Sequence, residues 1–272
     1  MSTTILSGIA IGIYLLVSIW LVRHLFVLKT APPDIKARVI LFAGLGLIVH
    51  AAVLYQTILP GHGLHMGFYN ALSLMSWVIL LLVIVLAVIR PAENLAVIFL
   101  PAAAVAMLLE LAFNVEHRVI LSGSSAIGLR LHILLSLAAY ALLSIAAVQS
   151  LILALQEYQL RHKHPVQAMR ILPPMQTMEE LLVQLLAIGF FLLSLSLATG
   201  LVFVHDIMQQ HLAHKTVLSI LAWLLFGTVL LGRWLRGWRG RTLSRWILGG
   251  FVLLMLAYFG SKLVLELILE RT

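Results

Sequence analysis

The chain reads as long apolar runs separated by short polar segments. A helix that crosses a bilayer needs about 20 predominantly apolar residues. Eight stretches come close to or exceed that length: 5–27, 39–59, 68–89, 94–112, 129–156, 181–204, 214–233 and 245–268. None shows the period-two alternation of a barrel strand, so the pattern predicts an all-α, polytopic integral membrane protein of about eight transmembrane helices. The fourth stretch is short and contains Pro101, which predicts a kink. Gly8 and Gly12 in the first have the four-residue spacing that permits close helix contact.

The fifth stretch departs from plain apolarity. His132, Ser136, Tyr140 and Ser144 recur every four residues, which on a helix makes a polar stripe along one slowly drifting face. In hydrocarbon these groups must meet protein, water or a ligand. The stripe is therefore either a site headed by a histidine near one membrane surface or a hydrogen-bonded seam between helices. A second histidine, His50, lies inside the second stretch, roughly 15 Å from its outer end at about 1.5 Å per residue. An ionisable group at that depth is either functional or a neutral imidazole bonded to an adjacent helix.

Composition narrows the class. The chain is 62% hydrophobic and 10% charged, against about 25% charged for soluble domains, so a water-soluble fold is excluded. There is no cysteine, which excludes disulfides, thiol redox chemistry, Cys-ligated zinc and covalent C-x-x-C-H haem attachment. The first apolar run lacks a basic leader and a small-residue cleavage site, and it is too long for a signal peptide, so a retained first span is expected.

Charge sets the expected orientation. Thirteen of the 18 Lys and Arg residues fall in segments 23–38, 90–93, 157–180 and 233–245. The other five are Arg118, Arg130, Lys215, Lys262 and Arg271. By the positive-inside rule the thirteen face the cytoplasm, and both termini are expected outside. The same asymmetry accounts for the net charge of +8. The interleaved Arg and Trp residues of 233–246 fit an anchor at the inner membrane surface; nucleic acid is not the expected partner.

With this topology His62, His65, His117, His132, His205, His211 and His214 gather at the outer face, while His24, His162 and His164 lie at the inner one. Imidazoles so placed can ligate haem iron, hold zinc or copper, or titrate near neutral pH. The metal option rests on two i, i+3 pairs, His62/His65 and His211/His214. No nucleophile elbow, Walker A sequence, H-E-x-x-H or buried carboxylate pair is present, so an enzyme is not expected. Glu110 and Asp206 are expected near outer helix ends, within reach of water.

Four segments carry a family resemblance. Residues 131–144 (LHILLSLAAYALLS), Thr199-Gly200, 237–241 (GWRGR) and 256–262 (LAYFGSK) match the cytochrome c assembly domain of CcsA-, ResC- and CcmC-type haem-handling proteins in order and spacing. The chain resembles most the eight-span YpjD/HemX-like branch. The resemblance divides the chain into an N-terminal four-helix segment, 1–112, and a cytochrome c assembly-like domain, 113–272, within one integrated bundle. It implies a bacterial inner-membrane protein that binds or presents haem at the outer face, together with other cytochrome-maturation proteins. His132 matches the family's first outer histidine. His205 and His50 follow as ligand candidates, with Ser136 and Tyr140 lining the site and His211 or His214 as substitutes.

Two departures stand against it. The family's tryptophan-rich signature is replaced by VFVHDIMQQHLAHKT at 202–216, and no histidine follows the last helix. A non-catalytic interaction or regulatory protein that kept the fold without haem transfer is therefore the alternative, and a small-molecule or ion transporter the third reading.

Overall fold

The computed structural model describes residues 2–28, 32, 34–58, 64–65, 67–113, 118–119, 126–161, 173–203 and 210–260. It contains α1 (Thr3–Val22), α2 (Ile35–Ile58), α3 (Phe68–Ile89), α4 (Ala96–Ala112), α5 (Ala126–Arg161), α6 (Met175–Phe203), α7 (Gln210–Arg236) and α8 (Gly240–Met255). A π-helical turn extends α1 through Arg23–Val27, another extends α8 through Leu256–Gly260, and a 3-10 turn at Glu93–Leu95 leads into α4. With these turns, eight helices among the described residues are long and apolar enough to cross a membrane.

The predicted stretches and the helices coincide over the described residues, with 261–268 of the eighth stretch lying outside them, and the helices run further at their polar ends. The fifth continues to Arg161, where Arg161 pairs with Glu157 at 2.6 Å one turn earlier. Such i, i+4 pairs let a helix outlast its apolar pattern. Pro101 lies inside α4, which continues through it. Outward-facing positions are apolar, with Leu16 70% and Ile48 69% exposed, while Ser7, His50, Ser73, Glu110, Gln149 and Ser196 are buried. That inverted polarity is what lipid as solvent requires.

The chain folds as two compact units, one containing α1–α4 and the other α5–α8. In the first unit, α1 packs on α2 and α4, and α3 packs on the same two helices. Tyr14, Leu21, Leu80, Leu100 and Met107 fill its centre. The close approach of α1 to α2 occurs at Gly46, where a Cβ would stand 2.5 Å from the Tyr14 ring. The contact that the Gly8 and Gly12 spacing permits is not found among the described residues: no described atom lies within 4 Å of a Cβ at either position. Glycine spacing permits contact, but the bulky partner that fills the groove decides where contact happens. Leu64–His65 (β1) pairs antiparallel with Arg118–Val119 (β2). This two-residue ladder joins the connection after α2 to that after α4, so the C-terminal ends of both helices lie at one end of the unit.

In the second unit α5 is the spine, packed against α6 and α8, with α7 against α6 and α8. Leu143, Ile145, Leu153, Leu182 and Phe226 are fully buried there. The α7–α8 turn is tight because Gly237 and Gly240 take left-handed backbone angles, φ 64° and 56°. Trp238 folds back on Gly232, where a Cβ would be 2.5 Å from the indole. Its carbonyl accepts from Arg233, which also bridges Glu179 of α6 at 2.6 Å. The GWRGR sequence is thus the turn that closes α7 on α8.

Candidate functional site

His132 sits near the start of α5, half-buried against the last turns of α6. Its Nδ1 lies 2.9 Å from the Ser196 carbonyl oxygen. A carbonyl only accepts, so Nδ1 is the donor of this bond. Thr199 Oγ1 lies 2.9 Å from both this carbonyl and that of Leu195, so its one proton is shared between the two. The ring reaches α6 only because residue 200 is glycine: a Cβ there would stand 2.9 Å from His132 Cε1 and 3.2 Å from Nδ1. Two separate segments of the resemblance, the LHILLS start of α5 and Thr199-Gly200, therefore meet in one contact.

Ser136 continues the arrangement one turn on. Its hydroxyl donates to the His132 carbonyl at 2.7 Å and lies 2.7 Å from Ser196 Oγ. Either hydroxyl can donate in that second bond. Ser136 Oγ is 3.5 Å from His132 Nε2, too long for a strong hydrogen bond.

The polar stripe does not form one site. Four-residue steps advance about 40° each around a helix, and the drift parts the stripe. His132 and Ser136 meet α6, whereas the Tyr140 ring lies 5.8 Å from Phe251 and 6.1 Å from Tyr258, on and just after α8. Ser144 donates to the Tyr140 carbonyl within its own helix. Tyr140 is therefore an inter-helix contact away from the His132 ring.

His50 is fully buried in the first unit, and both ring nitrogens are engaged: Nδ1 with Tyr14 Oη at 3.2 Å and Nε2 with Ser73 Oγ at 3.0 Å. Among the expected ligands, His205 lies outside the described residues. His211 and His214 fall in the first turns of α7, with side chains outside the description. Among the described residues no group of three His, Asp or Glu side chains is placed to hold a metal ion.

Glu110 corrects an expectation. It is 5% exposed, not open to water, because it projects inward from the last turn of α4. Neither of its oxygens has a hydrogen-bond partner among the described residues. Sequence reading missed Tyr14 and Ser73 as partners of His50. No spacing in one helix reveals partners contributed by two others.

The sequence profile described as cytochrome C assembly protein matches residues 38–269. That span is wider than the half-chain that carried the resemblance and includes α2–α4. The inner membrane protein YpjD of Escherichia coli K12 is 35% identical over 237 residues, covering 86% of this chain and 88% of that protein. A 28.8 kDa protein from the nifR3-like 5' region of Azospirillum brasilense is 34% identical over 209 residues, 74% of this chain and 77% of its own length. No solved structure matches the chain. With eight helices among the described residues long and apolar enough to cross a membrane and a match across most of its length, the chain is an inner-membrane protein that belongs to the cytochrome c assembly protein family.

Proposed function

We propose that this protein binds haem at the outer membrane face through His132, in support of cytochrome maturation. The observation that carries the reading is the Nδ1 contact to the Ser196 carbonyl. A histidine that ligates iron through Nε2 is oriented by a donor bond from its other nitrogen to a carbonyl or carboxylate. Here the backbone supplies that acceptor, and Gly200 leaves room for the ring. Bound haem would bring an iron centre for axial ligation and electron transfer. The chain's own residues fix the imidazole tautomer, hold the ring against α6 and present Nε2. The family is associated with haem, and the outer location follows from the thirteen-to-five distribution of basic residues.

The test is to express the protein in haem-replete cells, purify it in mild detergent and record the visible spectrum. A Soret band that His132→Ala abolishes is the expected result. His205→Ala, His211→Ala and His214→Ala identify a second axial ligand by opening the iron to carbon monoxide. A protein without haem would favour the second reading, an interaction or regulatory protein that kept the fold, which the missing tryptophan signature at 202–216 supports. A Soret band indifferent to His132→Ala would remove His132 from the site.

A further inference from the structure

Residues 233–245, which end α7 and begin α8, carry five arginines and no acidic residue. Gly237 and Gly240, with φ 64° and 56°, make the turn between the two helices tight. Two of the five arginines have a carboxylate beside them: Arg233 lies 2.6 Å and Arg239 3.7 Å from Glu179 of α6. Arg233 is tied further to the Trp238 carbonyl at 3.0 Å. The Arg241 guanidinium lies over the Tyr158 ring of α5, 6.0 Å from its centre. Arg236, Arg239 and Arg245 are exposed.

Pairing within the chain cannot remove this charge. The four segments that share one side of the span pattern, 23–38, 90–93, 157–180 and 233–245, hold thirteen Lys and Arg but five acidic residues, Asp34, Glu93, Glu157, Glu179 and Glu180. Eight cations therefore remain even if every one of those carboxylates is paired. Asp34 already pairs with Arg38 and Glu157 with Arg161, each at 2.6 Å. The placement is also unfavourable for α8 itself. Arg241 and Arg245 stand one turn apart, and no acidic residue lies in the first turn. Like charges four residues apart destabilise a helix, and an anion bound beside them offsets that cost.

What surrounds the arginines selects the anion. Leu235 is 79% and Trp234 68% exposed, and Trp246, stacked on Trp238 at 6.0 Å, is exposed as well. Exposed indoles at the ends of apolar spans sit at the level of the lipid headgroups. Arg245 lies inside the apolar helix that runs Gly240–Tyr258, and an arginine there extends its stem along the helix so that its charge reaches the same level. A soluble polyanion would have to push lipid aside to meet these groups, whereas a phospholipid already stands there. Guanidinium groups hold phosphate through paired N–H···O contacts. We propose that the α7–α8 turn is a binding site for anionic phospholipid headgroups, with Arg236, Arg239 and Arg245 on the phosphate and Trp234 and Trp246 at the border with the acyl chains. A zwitterionic headgroup brings its own cation to the arginines and is held less well. The site is independent of the haem reading and stands or falls separately.

The test is native mass spectrometry of the full-length protein in mild detergent. Equal amounts of phosphatidylglycerol and phosphatidylethanolamine with the same acyl chains are added, and the lipids that stay bound are counted. Wild type should retain phosphatidylglycerol in preference, and Arg236→Gln and Arg245→Gln should each lower that preference about fivefold. Arg38→Gln, which removes an arginine paired with Asp34 in the first unit, should leave it unchanged. Wild type alone carries the test should a variant fail to fold: its preference should weaken as salt is raised, and inorganic phosphate at the concentration of the lipid should not displace it. Equal retention of the two lipids by wild type overturns the proposal, as does a preference that Arg236→Gln and Arg245→Gln together leave intact. A loss in Arg38→Gln as large as in those variants would show a general effect of net charge and overturn it too. Displacement by inorganic phosphate would assign the arginines to a free anion, with the same consequence.

Discussion

Single atoms decide most of what this fold does at its close contacts. At Gly200 a Cβ would stand 2.9 Å from His132 Cε1. Gly200→Ala should therefore push the imidazole off the Ser196 carbonyl, weaken retention of any haem more than it lowers stability, and cost about 1–3 kcal/mol in packing strain. Spectra and thermal unfolding of the same detergent preparation separate the two effects. Gly46 is the matching position in the first unit, where the Tyr14 ring takes the space of a side chain. Gly46→Ala should destabilise by about 1–3 kcal/mol. Gly12→Ala, with no described atom within 4 Å of the added carbon, should change stability by no more than about 0.5 kcal/mol. Equal effects at Gly46 and Gly12 would contradict the packing described.

Among the elements, the α7–α8 turn is the most constrained. Gly237 and Gly240 both hold positive φ, and a side chain there costs about 1–2 kcal/mol per residue. At Gly240 an added Cβ would also meet Glu157 Oε2 at 2.7 Å, so Gly240→Ala should unfold at lower temperature than Gly237→Ala. Glu179 gathers Arg233 at 2.6 Å and Arg239 at 3.7 Å. The Arg233 pair is mostly shielded, with 18% and 17% side-chain exposure, so it outweighs the exposed Arg38–Asp34 pair, at 50% and 47%. Thermal scans should show Glu179→Gln below wild type and Asp34→Asn indistinguishable from it.

For the whole molecule, the basic asymmetry makes a topological prediction. The chain has no cysteine, so single cysteines report without background. Ser2→Cys, Ser124→Cys and Gln209→Cys should react with an impermeant thiol reagent added to the outer side, and Gln167→Cys should not. Labelling of Gln167→Cys in intact cells would reverse the orientation and with it the outer placement of His132.

The amino-acid sequence alone carries eight runs able to cross a membrane, the approximate place where each begins and ends, and the family they compose. It could do so because burial in lipid is a one-dimensional property: length and apolarity of a run are enough. It also marked His132, Ser136 and Thr199-Gly200 as separate signals. Helix packing brings His132 and Gly200 into one contact, places Tyr140 in another, and leaves no described atom within 4 Å of an added Cβ at Gly8 or Gly12. The helix periodicity leaves a drift of about 40° per four residues, and the neighbour at each angle depends on which helix packs there. Glu110 is the clearest case. Its position near a helix end suggested water, but rotation about the helix axis turned it into the α1–α4 core. The helices that cover it there are far along the chain, and no reading of one segment could supply them.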